Sequence, residues 1–456
     1  MNREPNNTLA TLMADAGATN KGLARRVREV AKRHAVHVGT THVSVQRWLD
    51  GGGIQPQTAG FLAEALSEKL PRKVTAADLG FPGTTTTPTS TGTAYATSLA
   101  EALGALDALT QRRPVDGPPA EPFMIQAEMD SAVLSWFVAR PDGLILDKPG
   151  ARRVGMRDVA AIRAAGDAFM RLDFQFGGGH GHKALRVYFR EEVLPLLSAS
   201  FSAKVGASLY DAATDIAQLL AWTAYDTGDH ALANRYMLST LRLTQVTGDR
   251  MMGARILTNM SHQANYLGQA PLAVRLARAS VEGGRGQATP RAMALFSCHE
   301  ARALSTAHDH KGAAHAMNEA ERFFERAESV TDPEWLSYMD EAELVGEFCH
   351  CFRDLKQGRE AVLFAERAVA LTDPKYARTL GFCRMVLAQS QLLNGELEAA
   401  ADTASQAVEG GDALQSARFQ RYVADFQREI SGHTGIPAVE QFNEQVREAM
   451  ARLDDE

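Results

Sequence analysis

The sequence predicts an all-α chain, a small basic helical head followed by a large acidic body of paired helices. Three observations carry that prediction. Apolar residues recur at three- and four-residue spacings in segment after segment, with short polar joints between them from about residue 155 onward. Aromatic residues make up only 7% of the 456 positions while alanine is abundant, which favours closely packed helices over a β-sandwich. Charge is also split along the chain. Residues 1–80 hold 11 Lys and Arg against 7 Asp and Glu, whereas the remainder hold 37 against 48. A basic head on an acidic body implies that only the head meets a polyanion. No apolar run approaches the roughly 18 residues that a membrane span needs, so no membrane partner is expected.

In the head (residues 1–80), Thr19 or Asn20 is placed to cap a helix over about Lys21–Ala35. Leu23, Val27, Val30 and His34 share one face and form its buried stripe, with His34 read as a packed residue. Arg25, Arg28, Lys32 and Arg33 fall on other faces. The stretch GTTHVSVQRWLDGG, Gly39 to Gly52, then reads as a second helix capped by Thr40 or Thr41 and ended by glycines 51–53. Val45 and Trp48 are spaced to pack inward, which leaves His42, Val43, Gln46 and Arg47 facing outward. These side chains suit the reading of double-stranded DNA: arginine pairs with guanine, glutamine with adenine, and valine touches a thymine methyl. Lys21, Arg25, Arg28 and Lys32, with Thr40 and Thr41 at a helix N-terminus, are the expected phosphate contacts. A helix from Gln57 to Leu70, apolar at Phe61, Leu62, Ala65 and Leu66, closes the small core.

Residues 81–122 read as a linker. FPGTTTTPTSTGT has nothing to bury, a short helix follows over about Tyr95–Leu109, and RRPVDGPPAEP breaks the chain again. The body (residues 123–456) opens with a helix around Phe123–Ala139 that carries Trp136 and Phe137. Its later helices repeat, most clearly over 211–409. Leu220-Ala221, Met260-Ser261, Phe348-Cys349 and Leu387-Ala388 are each a large apolar residue before a small one. Twelve residues after each small one stand Ala233, Ala273, Ala361 and Ala400, and seven further on Thr240, Ser280, Ala368 and Ala407. Gly228, Gly268, Gly358 and Gly395 fall near the joints. The gap between the second and third units leaves room for one more, around Ala301 and Ala313, although Glu300 spoils the large apolar position. Small residues at these places let antiparallel helices approach closely and stack into a curved solenoid. Its concave side is the candidate groove for a signalling peptide or a small molecule, lined by Gln218, Trp222, Tyr225, His262, Asn265, His350 and Arg353.

On these motifs the body resembles tetratricopeptide repeats, with a longer period. The run G-T-T-x-x-S-V-x-x-W-x-D-G, with Thr19 to Ala24 before it, resembles the helix-turn-helix of phage repressor and Cro proteins, the Xre type. That resemblance implies that Asn20 touches phosphate and that His42, Val43 and Arg47 read bases. One departure is plain: about eleven extra residues, REVAKRHAVHV, precede Gly39, so the turn is not the usual tight one. The whole resembles Streptomyces-type actinobacterial regulators that join such a head to tetratricopeptide-like repeats, including the segments LLAWTAYDTG and MSHQANYLG. It is similar more widely to quorum-sensing regulators whose repeats bind a peptide. The resemblance implies a homodimeric transcription regulator, a repressor by analogy, acting on a pseudo-palindromic operator in development or secondary metabolism.

Other chemistry finds little support. FGGGHGHK, Phe176 to Lys183, lacks the Gly-Lys-Ser/Thr ending of a phosphate loop and offers two histidines at most to a metal, so it reads as an inter-helix loop. His299-Glu300 has no second histidine at the spacing of a zinc protease. Cys298, Cys349, Cys351 and Cys383 match no zinc template and read as reduced thiols. No enzyme, metal or cofactor is expected. Arg25-Arg26 is followed by a charged amphipathic segment rather than an apolar one, so export is rejected and a cytoplasmic, nucleoid-associated protein is expected. The alternative is a protein-interaction adaptor built on the solenoid, for which the basic cluster from Lys21 to Arg47 has no clear use.

Overall fold

The computed structural model describes residues 5–33, 38–54, 56–70, 74, 76–79, 81, 94–111, 126–144, 152–328, 332–411, 414–433 and 435–454. The regular structure is helical, with no strand among the described residues, and the chain divides into two units, residues 1–89 and 90–456. Among the described residues no helix is long and apolar enough to cross a membrane.

The first unit holds α1 (Asn7–Asp15), α2 (Asn20–Arg33), α3 (His42–Leu49) and α4 (Pro56–Ser67), followed by a 3-10 turn at Ala76–Leu79. Sequence reasoning missed α1, a short helix whose Leu9, Leu12 and Met13 complete the core. The α2 stripe is buried at Leu23, Val27 and Val30, and meets Leu62 and Leu66 of α4 and Val45 and Trp48 of α3. His34, expected to end that stripe, lies outside the described residues. Each such side chain taken out of water contributes about 1.5–3 kcal/mol. Thr19 caps α2 by accepting the Gly22 amide at 3.1 Å. Buried Asn6 ties the unit together: its Oδ1 accepts the Leu9 amide at 3.0 Å, and its Nδ2 donates to the Leu79 carbonyl at 2.8 Å.

The second unit begins with α5 (Leu99–Thr110), α6 (Gln126–Val138), α7 (Met156–Phe176) and α8 (Gly178–Tyr188), then a π turn at Phe189–Val193 and the short α9 (Leu194–Leu197). Two expectations need correction here. The helix assigned to a linker, α5, buries Ala102, Leu106 and Leu109 against the body and belongs to it. Of the Thr- and Pro-rich segments on either side of it, Phe81 is buried edge-on to Trp48 in the first unit, and residues 82–93 and 112–122 lie outside the described residues. The glycine-rich FGGGHGHK is not a loop but the junction where α7 gives way to α8. Trp136 of α6 is fully packed, and the room for it is made by two glycines. A Cβ at Gly253 would lie 2.2 Å from the indole, and one at Gly283 2.6 Å from it.

Helices then come in antiparallel pairs: α10 (Ala203–Asp226) with α11 (His230–Thr247), α12 (Arg250–Tyr266) with α13 (Ala270–Gly284), and α14 (Pro290–Thr306) with α15 (His310–Glu325). They continue as α16 (Glu341–Asp354) with α17 (Gly358–Leu371), α18 (Ala377–Leu393) with α19 (Leu397–Gly411), and α20 (Ala417–Ile430) with α21 (Pro437–Asp454). Ala221, Ser261, Cys349 and Ala388 are buried, as are the alanines twelve residues later, and Ser261 Oγ donates to the Ala273 carbonyl at 2.8 Å. The pair α14 and α15 fills the gap in the repeat, with Ala301 and Ala313 fully buried, while Glu300 points to Arg278 at 3.4 Å. Five joints place a left-handed residue two positions beyond the first helix of the pair. Three are the glycines 228, 268 and 395; the other two are His308 (φ 57°) and Lys356 (φ 61°). Gly358, expected near a joint, begins α17 directly after it.

The solenoid-like array does not stay open. Its inner helices α10, α12, α14, α16 and α18 neighbour one another in turn, and α7 bridges α18 back to α10. Asp173 of α7 grips Arg378 of α18 at 2.8 Å with both side chains buried. The Gly179 amide donates to the Gln415 carbonyl, and the Gln415 amide to the Phe176 carbonyl, both at 2.9 Å.

Candidate nucleic-acid interface and inner cleft

In the first unit, α3 is held by its ends and its buried face. Thr41 Oγ1 accepts the Ser44 amide and Ser44 Oγ accepts the Thr41 amide, a reciprocal capping box. Val45 and Trp48 are buried, so the opposite face is turned out: His42, Val43, Gln46 and Arg47 are all exposed, Val43 to 62%. An exposed valine between polar groups gains nothing from folding. Gln46 is oriented by a chain of amides and acids. Asn20 Nδ2 donates to Gln46 Oε1 at 2.9 Å, and Gln46 Nε2 donates to Asp50 Oδ1 at 3.0 Å. The second hydrogen of the Gln46 amide and the second lone pair of its oxygen stay free for an outside partner.

The expected phosphate contacts divide. Lys21 and Lys32 are exposed and have no ion-pair partner among the described residues. Arg25 shares only a loose exposed pair with Glu29 at 3.5 Å, which competes weakly with a phosphate. Arg28 donates to the Thr40 carbonyl, which ties α2 to the segment before α3, and its exposed guanidinium keeps further donors. One expectation is corrected. Thr40 is buried, which withdraws its hydroxyl from any phosphate, while Thr41 stays exposed at the cap. Asn20 is brought to Gln46 on the outer face of α3.

In the second unit, closure by α7 turns the concave face into a cavity of about 670 Å3. Of the expected groove residues, Gln218, Trp222, His262 and His350 line it. Asn265 and Arg353 line an adjoining recess of about 660 Å3 that shares His262, Arg302 and Tyr422 with it. Tyr225 does not line either: it is fully buried beneath, sharing a 2.9 Å hydrogen bond with His262 Nδ1. Sequence reasoning missed the arginines. Arg302 bridges both oxygens of Glu347 at 3.1 and 3.2 Å. Arg418 lies among four rings, 4.7 Å from Tyr225, 4.9 Å from Phe382, 5.2 Å from Trp222 and 6.0 Å from Tyr266. Its carboxylate is Asp226 at 3.5 Å, which also accepts from Ser416 Oγ and the Gly178 amide. Nothing local sets these arginines apart, because α14 also carries Arg291, His299 and Glu300, and α20 carries Arg421, Asp425, Arg428 and Glu429.

The electrostatics differ across the cavity. Burial, helped by Arg302 and Arg418, holds His262 and His350 well below the usual histidine value, and burial holds His299 at about 4, so all three are neutral acceptors or donors near pH 7. On the α7, α10 and α12 side, burial and neighbouring carboxylates push Asp211 and Asp215 up to about 6. Burial and Glu347 push Glu343 up to about 8. The two histidines of FGGGHGHK do not converge: His182 Nδ1 is bonded to Thr223 Oγ1 at 2.8 Å, and the exposed His180 stacks on Phe176.

A family model described as the SP15 N-terminal domain matches residues 9–82, most of the first unit. No curated protein sequence matches the chain.

Proposed function

We propose that the chain is a sequence-specific DNA-binding transcription regulator. Its first unit reads DNA in the manner of an Xre-like helix-turn-helix, and its tetratricopeptide-like body dimerises it or senses a ligand. The observation that carries this reading is the outer face of α3, where His42, Val43, Gln46 and Arg47 stand exposed on a helix anchored by Val45 and Trp48. An eight-residue helix is about 12 Å long, and its breadth suits a B-form major groove about 12 Å wide. Arg47 would pair with guanine and Gln46, pre-oriented by Asn20, with adenine. Lys21, Arg25 and Lys32 supply the phosphate contacts that set register. A homodimer would place two such helices on half-sites about 34 Å apart, or a multiple of that. Repression of developmental or secondary-metabolic genes extends the actinobacterial resemblance and follows from it alone.

Selection of bound duplexes from a random pool, followed by binding titrations of variants, tests this reading. A pseudo-palindromic motif is expected. Arg47→Ala should then lose about 1–3 kcal/mol and relax one base position, whereas Lys32→Ala should weaken all sequences alike and lower the salt slope by about 1. A pool that yields no motif, or an Arg47→Ala protein as tight and selective as the parent, overturns the assignment.

A further inference from the structure

The cavity wall holds five arginines, and four of them are neutralised in place. Arg255 faces Asp215 at 3.3 Å, Arg302 faces Glu347 at 3.1 Å, Arg378 faces Asp173 at 2.8 Å and Arg418 faces Asp226 at 3.5 Å. What remains on the side made by α7, α10 and α12 is Arg163 against Asp167, Asp211 and Asp249. Asp249 is engaged in part, because its Oδ1 accepts the Met252 amide at 2.8 Å. Asp167 and Asp211 have no hydrogen bond or ion pair among the described residues. This side of the cavity therefore carries more negative charge than its own cations cancel, at half-buried positions where charge is costly.

Two further observations define what would fit. Arg255, 7% exposed, has an Nε–H without an acceptor, and Asn259, one turn further along α12, has an Nδ2 without one. Both are donors on the same wall, so they call for a neutral acceptor such as a hydroxyl or carbonyl; an anionic one would meet the unneutralised carboxylates. Ile162, Met170, Phe174, Leu219 and Tyr338 supply an apolar enclosure around them. The volume, about 670 Å3, is that of a small-molecule site. The bridge from α7 to α18 shuts the face along which an extended chain would run.

We propose that this cavity binds a small organic ammonium ion carrying an apolar body and a neutral hydrogen-bond acceptor, with Asp211 as the principal counter-charge. The inference rests on reading the second unit as a ligand-binding body and not on DNA recognition. The groups facing Asp211 are Arg163 and Asp167 from α7, Asp215 from its own helix, and Asp249 and Arg255 from α12. Across the cavity stand Tyr338 and, on α16, Glu343.

Three isosteric probes decide it, titrated by calorimetry into the full chain without DNA: 2-amino-1-phenylethanol, phenylethane-1,2-diol and mandelate. The amine is expected to bind at least about tenfold tighter than the diol or the carboxylate. Asp211→Asn should remove that preference, while Glu325→Gln, on the exposed outer surface of α15, should keep it. Affinity for the amine should rise from pH 5 to pH 7.5 as Asp211 ionises. A preference for mandelate would leave a ligand site but refute its charge class. Saturation by none of the three below about 10 mM would refute the site itself. A cation preference untouched by Asp211→Asn would refute the role of Asp211. None of these results bears on DNA binding.

Discussion

Asp226→Asn is expected to destabilise the second unit by about 3 kcal/mol, the lower end of the cost of stranding a buried charge. Asp226 has no exposed surface, and elements distant in sequence converge on it. It accepts from the Gly178 amide at 2.9 Å and from Ser416 Oγ at 3.0 Å, and faces Arg418 at 3.5 Å and Arg378 at 3.6 Å. Asparagine keeps an acceptor for the Gly178 amide and turns its Nδ2 to Ser416 Oγ, which accepts instead of donating, but it withdraws the charge. Arg378 retains Asp173, so Arg418 alone is stranded, and its long pair and surrounding rings put the loss at the lower end. Asp226→Ala withdraws two acceptors as well, each worth about 1 kcal/mol, for a total of about 5 kcal/mol. Urea unfolding followed by circular dichroism measures both variants. Because the cluster is buried, the loss should be the same at low and high salt. An Asp226→Asn protein within about 0.5 kcal/mol of the parent, or an alanine variant no worse than the asparagine one, refutes ionic closure of the array.

Gly253→Ala should cost about 1–3 kcal/mol through overpacking, because the new methyl must displace Trp136; a shifted tryptophan emission with an unchanged helical signal is the expected signature. Thr41→Ala removes half of the capping box and should lower the stability of the first unit by about 1 kcal/mol, read from its thermal transition. Asp211→Asn should stabilise the second unit near pH 7.5. The folded carboxyl, pushed up to about 6, lies above an unfolded value near 3.9, so the parent's stability from this group is complete below about 3.9 and is lost as pH rises through about 6. The advantage of the variant should therefore vanish toward pH 4, and urea midpoints across that range check the sign.

Much of the fold was legible because it is encoded locally. Helix periodicity and the recurrent small residues marked the pairs from α10 to α19, and the stripe of α2 with Val45 and Trp48 marked the first unit. Two joints were marked less sharply, because His308 and Lys356 occupy left-handed positions that usually signal themselves by glycine, and only Gly358, just after the second, pointed to it. The α7 bridge escaped for a different reason. Its partners lie some two hundred residues away, in Arg378 and Gln415, and no local pattern announces such a contact. FGGGHGHK read as a loop for the same reason, since its backbone is drawn close to Gln415 and Asp226 by tertiary packing. On the outer face of α3, exposure of His42, Val43, Gln46 and Arg47 followed from helical spacing, whereas the burial of Thr40 depends on how α2 meets the segment before α3.

The charge pattern changes meaning once the body is seen folded. Read along the chain, the acidity of residues 81–456 is a solvated surface that keeps polyanions away from all but the head. Part of that acid is interior. Asp173, Asp226 and Glu347 are buried against arginines, and Asp211, Asp215 and Glu343 face the cavity with carboxyl values raised by burial and by one another. A buried pair removes an arginine with each acid and leaves the net charge of the body unchanged, and of the cavity acids only Glu343, pushed up to about 8, is held back from ionising near pH 7. The net acidity of the body therefore stays close to the sequence total, and if the head binds DNA as proposed, the body repels the polyanion while the exposed cations of the head, Lys21, Arg25, Lys32 and Arg47, attract it. On that proposal, removing those four charges should weaken DNA binding strongly at physiological salt and flatten its dependence on salt, while neutralising the buried carboxylates should leave the salt slope unchanged.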